Sequence, residues 1–230
     1  MNEFAAVLFD LDNTLCRHEQ DAETVYYGAF DAAGVEPFGE PDDLWTALSD
    51  PPAPDPDDRL AYLADGFGTV ADRYGRSVDA RALARGFSEV VDHSAVAFRE
   101  GAEAALAAAR EHGRVGLLTN GPEHRQSIKL RALGLDGAFD ATVFAGDMPR
   151  RKPHRDPFDR TLAELGVDAA GALYVGDSLE YDVAGAKGAG LWAAWCPADD
   201  GDGDPDPGEH EPDYVLGSPA DLVGVLDGPG

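Results

Sequence analysis

Residues 5–14 of the chain read AAVLFDLDNT, an apolar run that passes into two aspartates. A strand of a parallel sheet is covered by helices on both faces, so its sequence is continuously apolar rather than alternating. The run therefore predicts a buried strand with acids at its carboxyl end. Four later segments have the same character: RVGLLTN (114–120), ATVFAGD (141–147), ALYVGD (172–177) and LWAAWC (191–196).

Helical patterns separate these predicted strands, and several of them end at glycine, a common helix terminus. Strands that alternate with helices favour a doubly wound α/β fold, which is a Rossmann-like parallel sheet with helices on both faces. A short strand in PDYVL and a helix in SPADLVGVL complete the series. The helical patterns are GAEAALAAAREHG (101–113), PEHRQSIKLRALG (122–134), DPFDRTLAELG (156–166) and LEYDVAGAKGAG (179–190).

A long segment without a strand pattern, from about residue 17 to residue 98, interrupts the alternation. Roughly 80 residues are too many for a crossover loop in a compact domain. We therefore predict a helical domain over residues 17–96, inserted into an α/β core formed by residues 1–16 and 97–230. A helical N-terminal extension of the core is the alternative, and the strand-like AAVLFDL ahead of the segment favours insertion. Helical spacing is found at 20–34, 41–49, 57–74 and 78–94, with prolines clustered over 51–56.

The chain carries 44 acidic and 18 basic residues, a formal net charge of −26. Such a charge repels nucleic acids and anionic membrane surfaces, which argues against both as partners. An acid excess with so few lysines is typical of proteins from salt-in halophiles, where molar salt shortens the range of the field to about 3 Å. We therefore expect a halophilic protein whose acidity is a property of its surface.

The sequence has no apolar run near the roughly 20 residues of a membrane span, and its N-terminus lacks the basic start of a signal peptide. Both features predict a cytoplasmic protein. Cys16 and Cys196 lack CxxC spacing, so we expect two free thiols rather than a zinc site or a disulfide. The acidic segment 198–211 lacks the last glutamate of a calcium loop and is expected to be a solvated loop.

Aspartates follow two of the predicted strands directly. Asp10 and Asp12 end the first strand, Asp177 ends the strand at 172–176, and Asp182 comes five residues later. The carboxyl ends of parallel strands share one edge of the sheet, where open α/β sheets bind ligands. Buried carboxylates are costly unless paired or metal-bound, so this cluster calls for a cation, and all-oxygen ligation suits Mg²⁺. If Asp10 and Asp12 only capped the next helix, Asp177 would stay unexplained.

The residue types at this edge fit phosphoryl chemistry. A carboxylate beside Mg²⁺ can attack phosphorus to form an aspartyl-phosphate, and a second acid can protonate the leaving group and then activate water. Thr119, Asn120 and the N–H of Gly121 stand between a strand and a helix, where they can cradle phosphate oxygens. A lysine near the phosphate would complete the charge balance.

Four motifs, in this order, resemble those of the haloacid dehalogenase-like (HAD) superfamily of hydrolases. The first, DxDx[TV] after a buried strand, matches Asp10 to Thr14, and the second, a Ser or Thr at a strand end, matches Thr119. The third, a lysine that opens a helix, matches Lys152 in RRKPHRDPF, and the fourth, GDxxxxD, matches residues 176–182. The resemblance covers almost the whole chain, and the helical segment stands where phosphoglycolate phosphatase-like members carry a cap domain.

The resemblance implies a role for each matched residue. Asp10 is the nucleophile and a Mg²⁺ ligand, while Asp12 is the general acid and base and gives its backbone carbonyl to the metal. Lys152 balances the charges of the phosphate and of Asp10. The remaining matched residues are Thr119 and Asn120 at the phosphate, Asp177 on the metal, and Asp182 as an outer or water-mediated ligand.

Asp12 favours a phosphatase over a dehalogenase, because dehalogenating members of the family resemble DxYGT at this motif and need no metal. We expect an enzyme that acts on a small phosphorylated metabolite, such as phosphoglycolate, a sugar phosphate or a nucleotide. A phosphomutase of the same family, a phosphoryl-accepting receiver and a catalytically silent interaction module are the alternatives. The expected assembly is a monomer or small homo-oligomer, and Arg17 and His18 are candidate substrate contacts.

Overall fold

The structure, a computed structural model, describes residues 4–49, 59–198 and 207–228. The chain divides into two compact units, one made of Met1–His18 with Val96–Gly230 and the other of Glu19–Ala95. We call them the α/β unit and the helical unit. The proline cluster at 51–56 and residues 199–206 of the acidic segment lie outside the described residues.

The elements follow the predicted alternation of strands and helices. The strands are β1 (Ala6–Phe9), β2 (Cys16–His18), β3 (Val96–Phe98), β4 (Arg114–Thr119), β5 (Ala141–Phe144), β6 (Ala172–Gly176), β7 (Trp192–Trp195) and β8 (Tyr214–Val215). The α-helices are α1 (Ala22–Ala33), α2 (Pro41–Ser49), α3 (Arg59–Arg73), α4 (Ala80–Val90), α5 (Ala102–His112), α6 (Glu123–Ala132), α7 (Arg155–Leu165), α8 (Gly185–Ala189) and α9 (Leu222–Asp227). Among the described residues, none of the helices is both long and apolar enough to cross a membrane.

A parallel sheet in the order β5-β4-β1-β6-β7-β8 forms the centre of the α/β unit. Counted along the sheet's own strands this is the order 3-2-1-4-5-6 of a doubly wound fold, which confirms the predicted fold class. Strand β1 lies between β4 and β6, and its Phe9 is in register with Leu117 and Val175. The backbone N–H of Asp10 still donates to the carbonyl of Val175, at 2.9 Å. The first aspartate is thus the residue at which the central strand ends.

Alternate residues of β1 enter two different hydrophobic cores. Val7 and Phe9 pack on the face covered by α5, α6 and α9, whereas Ala6 and Leu8 pack on the face covered by α7 and α8. All four side chains are at most 1% exposed. This two-sided burial explains why the strand is continuously apolar, and it fixes the position of its carboxyl end.

The prediction that residues 17–98 contain no strand was wrong at both ends of the segment. Strands β2 and β3 pair antiparallel, with Cys16 opposite Phe98 and His18 opposite Val96. Arg17, His18 and Val96 therefore belong to the α/β unit, although we had assigned them to the insertion. Strands of three residues show no periodicity, and these two meet only because the fold brings together positions about 80 residues apart.

The helical unit has a core of its own. Helix α1 packs against α4, and α3 packs against both α2 and α4. Tyr26, Phe30 and Phe67 lie at the centre, and the Tyr26 hydroxyl donates to the carbonyl of Phe38 at 2.8 Å. The side chains of Asp21 and Asp79 cap α1 and α4 by accepting backbone N–H groups of the first turns.

Candidate active site

The loop after β1 begins the site. Asn13 has φ of 57°, a left-handed conformation that asparagine tolerates better than most residues. The N–H groups of Leu15 and Cys16 both donate to the carbonyl of Leu11, at 3.0 Å each. The chain therefore turns back directly after Asp12, and the first two aspartates stay at the edge of the sheet.

Three carboxylates form one group at this edge. Asp10 after β1, Asp177 after β6 and Asp182 each place an oxygen so that all three atoms lie within 4.8 Å of one another. Asp182 lies in a π-helical turn over Leu179–Ala184, and its carboxylate accepts the N–H of Ser178 at 2.9 Å. The Ser178 hydroxyl accepts the N–H of Tyr181, so it caps this turn.

Lys152 is the ammonium group beside these carboxylates. It donates to Asp10 at 2.9 Å, to Asp182 at 2.6 Å and to the hydroxyl of Tyr174 at 2.8 Å. All three N–H bonds of the ammonium are thereby engaged. Lys152 does not open a helix as we had predicted, because α7 begins at Arg155. Pro153 explains why the helix does not begin at Lys152, since a residue that precedes proline avoids the helical conformation.

Within the described part of the protein, Lys152 alone does not balance the negative charge of these three carboxylates. Burial raises the pKa of Asp10 well above its ordinary value, although Lys152 opposes the shift. Burial, together with repulsion from Asp182, raises the pKa of Asp177 to about 6. Burial would lower the pKa of Lys152, but Asp10 and Asp182 outweigh it and hold that pKa above its usual value. Three carboxylates facing one ammonium carry a surplus negative charge that a divalent cation fits in charge and in oxygen donors.

Asn120 holds the loop that carries Lys152. Its amide nitrogen donates to the carbonyl of Lys152 at 3.1 Å, and its amide oxygen accepts the N–H of Lys152 at 2.9 Å. We had predicted contact of Asn120 with phosphate, and that contact stays a prediction. The described bonds give its side chain a different task, which is to hold the backbone of the lysine in place.

The carboxylate of Asp12 has partners of its own, which are side chains of helix α6. One of its oxygens accepts from Gln126 at 2.7 Å and the other accepts from Lys129. Burial opposes ionisation of Asp12, but Lys129 and Gln126 outweigh it and hold the pKa of this carboxyl below its usual value. Gln126 also donates to the hydroxyl of Thr119 at 2.8 Å. The carboxylate of Asp12 therefore lies on the Thr119 side of the site, and metal ligation by its carbonyl stays a prediction.

The structure brings Asp10, Lys152, Asp177 and Asp182 together, and the role of Asp182 as an outer or water-mediated metal ligand stays a prediction. Thr119 ends β4, the strand beside β1. Arg17 and His18 lie on β2 with exposed side chains, and their contact with substrate stays a prediction.

Thr14, the last residue of the first motif, donates to Asp177 at 3.3 Å. Other residues near the site, namely Arg99, Gln126 and Lys129, escaped the sequence analysis. Arg99 is 3% exposed and donates to the backbone carbonyls of Asn13 and Pro197, so it joins the first loop to the segment after β7. Arg99 gave no signal in the sequence. The residues with a usable signal were Gln126 and Lys129, three apart on a predicted helix directly after Thr119, in a chain with only three lysines.

Comparison with known proteins places the chain among related sequences. A family model described as "Hydrolase: haloacid dehalogenase-like hydrolase" matches residues 4–190. The phosphoglycolate phosphatase of Neisseria gonorrhoeae is 30% identical over 80% of this chain and 76% of its own length. The pyrimidine 5'-nucleotidase YjjG of Escherichia coli is 35% identical over 43% of this chain, a match that spans less than half of that relative, 44%.

Solved structures share the fold over most of the chain. A crystal structure from Haemophilus somnus 129pt, described as that of a predicted phosphoglycolate phosphatase, superposes with a TM-score of 0.74. The match covers 97% of this chain and 98% of that one, at 19% sequence identity. At that identity the likeness concerns the fold alone.

Proposed function

The chain belongs to the haloacid dehalogenase-like hydrolase family, and from that membership we propose that it is a magnesium-dependent phosphatase that hydrolyses a small phosphomonoester through an aspartyl-phosphate on Asp10. One observation carries the proposal. Asp10 shares a buried group with Asp177 and Asp182, in which Lys152 provides too little positive charge.

Mg²⁺ fits this group because its donors are carboxylate oxygens and its surplus charge is negative. Asp10 and Asp177 would hold the ion, with the backbone carbonyl of Asp12 as a further donor and Asp182 as an outer or water-mediated ligand. When bound, the ion neutralises negative charge on the phosphoryl group and allows a carboxylate to approach it.

Asp10 acts as the nucleophile. A carboxylate oxygen of Asp10 forms a bond to phosphorus while the bond from phosphorus to the substrate oxygen breaks. Asp12, in its acid form, gives a proton to that leaving oxygen, so an alcohol departs and Asp12 is left as a carboxylate, the form that Lys129 and Gln126 stabilise. Asp12 then takes a proton from water as the water oxygen attacks the phosphorus of the aspartyl-phosphate. Inorganic phosphate leaves, and the carboxylate of Asp10 and the acid form of Asp12 are restored.

Thr119 and Lys152 hold the phosphoryl group during these steps. The Thr119 hydroxyl can donate to a phosphate oxygen, and the charge of Lys152 acts on the phosphate across the site. Asn120 supports Lys152 through its two bonds to the backbone of that residue. Asp12 also argues for phosphate ester hydrolysis over dehalogenation, because loss of a halide ion needs no proton donor.

The helical unit is proposed as a cap that selects the substrate and excludes bulk water. The position of this unit in the chain, inserted directly after the first motif, supports this role. Relatives named for phosphoglycolate and for pyrimidine nucleotides support a small phosphomonoester as the substrate class. A cytoplasmic monomer or small homo-oligomer is the form in which we propose that the enzyme works.

The test is a phosphate-release screen over phosphoglycolate, sugar phosphates and nucleotides, at high salt, with Mg²⁺ and with EDTA. We expect release with Mg²⁺ and none with EDTA. Asp10→Asn should reduce release to the detection limit while the fold is kept. Asp136→Asn, which removes the same charge from an exposed position, is the matched control and should leave release unchanged. Full turnover by the metal-free protein, or by Asp10→Asn, would contradict the proposal.

The same screen separates the other activities. Transfer of a phosphoryl group between sugar positions, with little free phosphate, would indicate a phosphomutase. A phosphorylated Asp10 that persists for minutes to hours would indicate a phosphoryl-accepting receiver instead of an enzyme.

A further inference from the structure

Two buried side chains of α6 hold the carboxylate of Asp12. Gln126 is 1% exposed and Lys129 is 5% exposed, and each donates to a different oxygen of that carboxylate. The carboxylate itself is partly open, with 34% of its side chain exposed. Helix α6 thus holds the carboxylate of Asp12 through two hydrogen bonds, while part of the carboxylate stays exposed to solvent.

Gln126 connects Asp12 to Thr119. Its amide nitrogen donates to Asp12 at 2.7 Å and to the Thr119 hydroxyl oxygen at 2.8 Å. The orientation of the amide follows from the chemistry, because its oxygen would repel the carboxylate if the two ends were exchanged. Its amide oxygen has no hydrogen-bond partner within the described part of the chain. The two hydrogen bonds of this buried side chain are therefore both donated by its amide nitrogen.

The bonds at Thr119 leave its hydrogen available. The hydroxyl oxygen accepts from Gln126 and from the N–H of Gly121 at 3.2 Å, which uses both of its lone pairs. The remaining capacity of the hydroxyl is one O–H donor, which is what an anionic phosphate oxygen requires. The same amide therefore orders a donor for phosphate and the carboxylate of Asp12.

Gly121 leaves the space for this arrangement. A Cβ atom at position 121 would lie 2.2 Å from the amide nitrogen of Gln126 and 2.5 Å from its Cδ. A side chain there would displace Gln126 from both of its acceptors. The glycine after Thr119 and Asn120 and the glutamine on α6 thus belong to one arrangement.

We propose that Gln126 and Lys129 are positioning residues that hold the carboxylate of Asp12 toward the leaving group, on the Thr119 side of the site and apart from the three metal-binding carboxylates. This inference rests on the proposed phosphatase function. Neither residue touches the reacting atoms; both act through Asp12. Without them, Asp12 rotates among several orientations and donates its proton less often in the productive one.

The test compares two substrates by kcat/KM, which reports steps up to release of the leaving group. An alkyl phosphate needs a proton on its leaving oxygen, whereas p-nitrophenyl phosphate releases a stable phenolate without one. Gln126→Met and Lys129→Met should each lower kcat/KM for the alkyl phosphate by about 10–100-fold. For p-nitrophenyl phosphate we expect a change of less than about 3-fold, because the general acid adds little there.

Asp12→Asn supplies the reference and Arg131→Met the control. Arg131 is an exposed base on the same helix, so its loss should leave both substrates unaffected. Asp12→Asn should also lower kcat/KM for the alkyl phosphate more than for p-nitrophenyl phosphate, and by a larger factor than the two α6 variants. In the double variant Asp12→Asn/Lys129→Met, the second change should cost nothing further, since the residue through which Lys129 acts is already lost.

Equal losses for both substrates, or losses that add in the double variant, would overturn the inference. So would wild-type values for Gln126→Met and Lys129→Met. If Lys129→Met fails to fold, Gln126→Met and Lys129→Arg carry the test, and Lys129→Arg should recover most of the alkyl phosphatase activity. A wild-type protein without Mg²⁺-dependent release would refute the proposed function itself, which is a separate outcome from an active enzyme with insensitive variants.

Discussion

At the scale of single residues, the two lysines of the site have different neighbours. Lys152 lies among Asp10, Asp182 and Tyr174, whereas Lys129 meets Asp12. Asp10 and Asp12, the proposed nucleophile and the proposed general acid, therefore each have a cation of their own, although they stand only two positions apart in the chain. This separation allows the two aspartates to do different chemistry from one loop.

Asn120 offers a test of how firmly Lys152 must be held. Asn120→Ala removes two hydrogen bonds to the backbone of Lys152, so we expect a loss of about 1–2 kcal/mol in the free energy of unfolding. Because a displaced catalytic group can cost up to about 100-fold, kcat should fall by about 10–100-fold. Steady-state kinetics and urea denaturation measure the two effects. Asn120→Asp keeps one of the two bonds and should give intermediate values; a wild-type kcat for Asn120→Ala would contradict the expectation.

Cys16 offers a test of burial. Burial raises the pKa of its thiol to about 12, from 9.0. At pH 8 the thiolate fraction is then about one in 10⁴, so iodoacetamide should not modify Cys16 in the folded protein. Because the folded pKa lies above the unfolded one, this group stabilises the fold below pH 9, and the stabilisation falls as the pH rises toward 12. Mass spectrometry of the alkylated protein measures the reaction, and modification in denaturant is the control. Rapid alkylation of Cys16 in the native protein at pH 8 would contradict this expectation, because it would show that the thiol is accessible to the reagent.

At the scale of elements, the helical unit depends on a close crossing of α1 and α4. A Cβ atom at Gly86 would lie 2.6 Å from the carbonyl oxygen of Ala29 and 3.1 Å from the Cβ of Ala32. Alanine normally favours a helix interior over glycine by about 1 kcal/mol. Here the contact with the backbone of the facing helix outweighs that gain.

The pair Gly86→Ala and Gly68→Ala tests this argument. Gly86→Ala should lower the free energy of unfolding by about 1–2 kcal/mol, because α1 and α4 must move apart. Gly68, within α3, has open space around it, with the nearest atom 4.0 Å from a Cβ. Gly68→Ala should therefore raise the free energy of unfolding by about 0.5–1 kcal/mol. Chemical denaturation of both variants measures the difference, and effects of the same sign would refute the close crossing.

At the scale of the whole molecule, the net charge of −26 dominates. Like charges on a folded surface repel one another, and salt reduces the repulsion, with a Debye length of about 10 Å at 0.1 M and about 3 Å at 1 M. The proposed anionic substrate would also be repelled at long range. Lys152 and the proposed metal ion must therefore act on it at short range.

We expect the Tm to rise by at least about 5 °C between 0.05 M and 1 M NaCl, which corresponds to roughly 2 kcal/mol for a chain of this size. The rise should be steepest below about 0.2 M, where screening changes most. Differential scanning calorimetry at constant pH measures it, and sucrose at equal osmolarity is the control for effects other than screening. A Tm that does not depend on salt would show that the acidic residues are already balanced within the fold.

The sequence by itself determined the doubly wound sheet and the edge where the chemistry lies. These features are local, because an apolar run such as AAVLFDL predicts a strand from its own residues. Asp10, Thr119 and Asp177 were picked out for the same reason, since each stands at the end of a predicted strand, whereas Lys152 was identified only by its resemblance to the third motif of the family.

Only the tertiary structure decided which side chains meet. That Asp182 joins Asp10, that Asn120 binds the backbone of Lys152 and that Lys129 binds Asp12 all depend on contacts between residues 32 to 172 positions apart. No periodicity within a short segment encodes such a distance. The parallel sheet brings these positions to one edge, and the pairing of charges and hydrogen bonds there depends on the directions of side chains that only the packed structure defines.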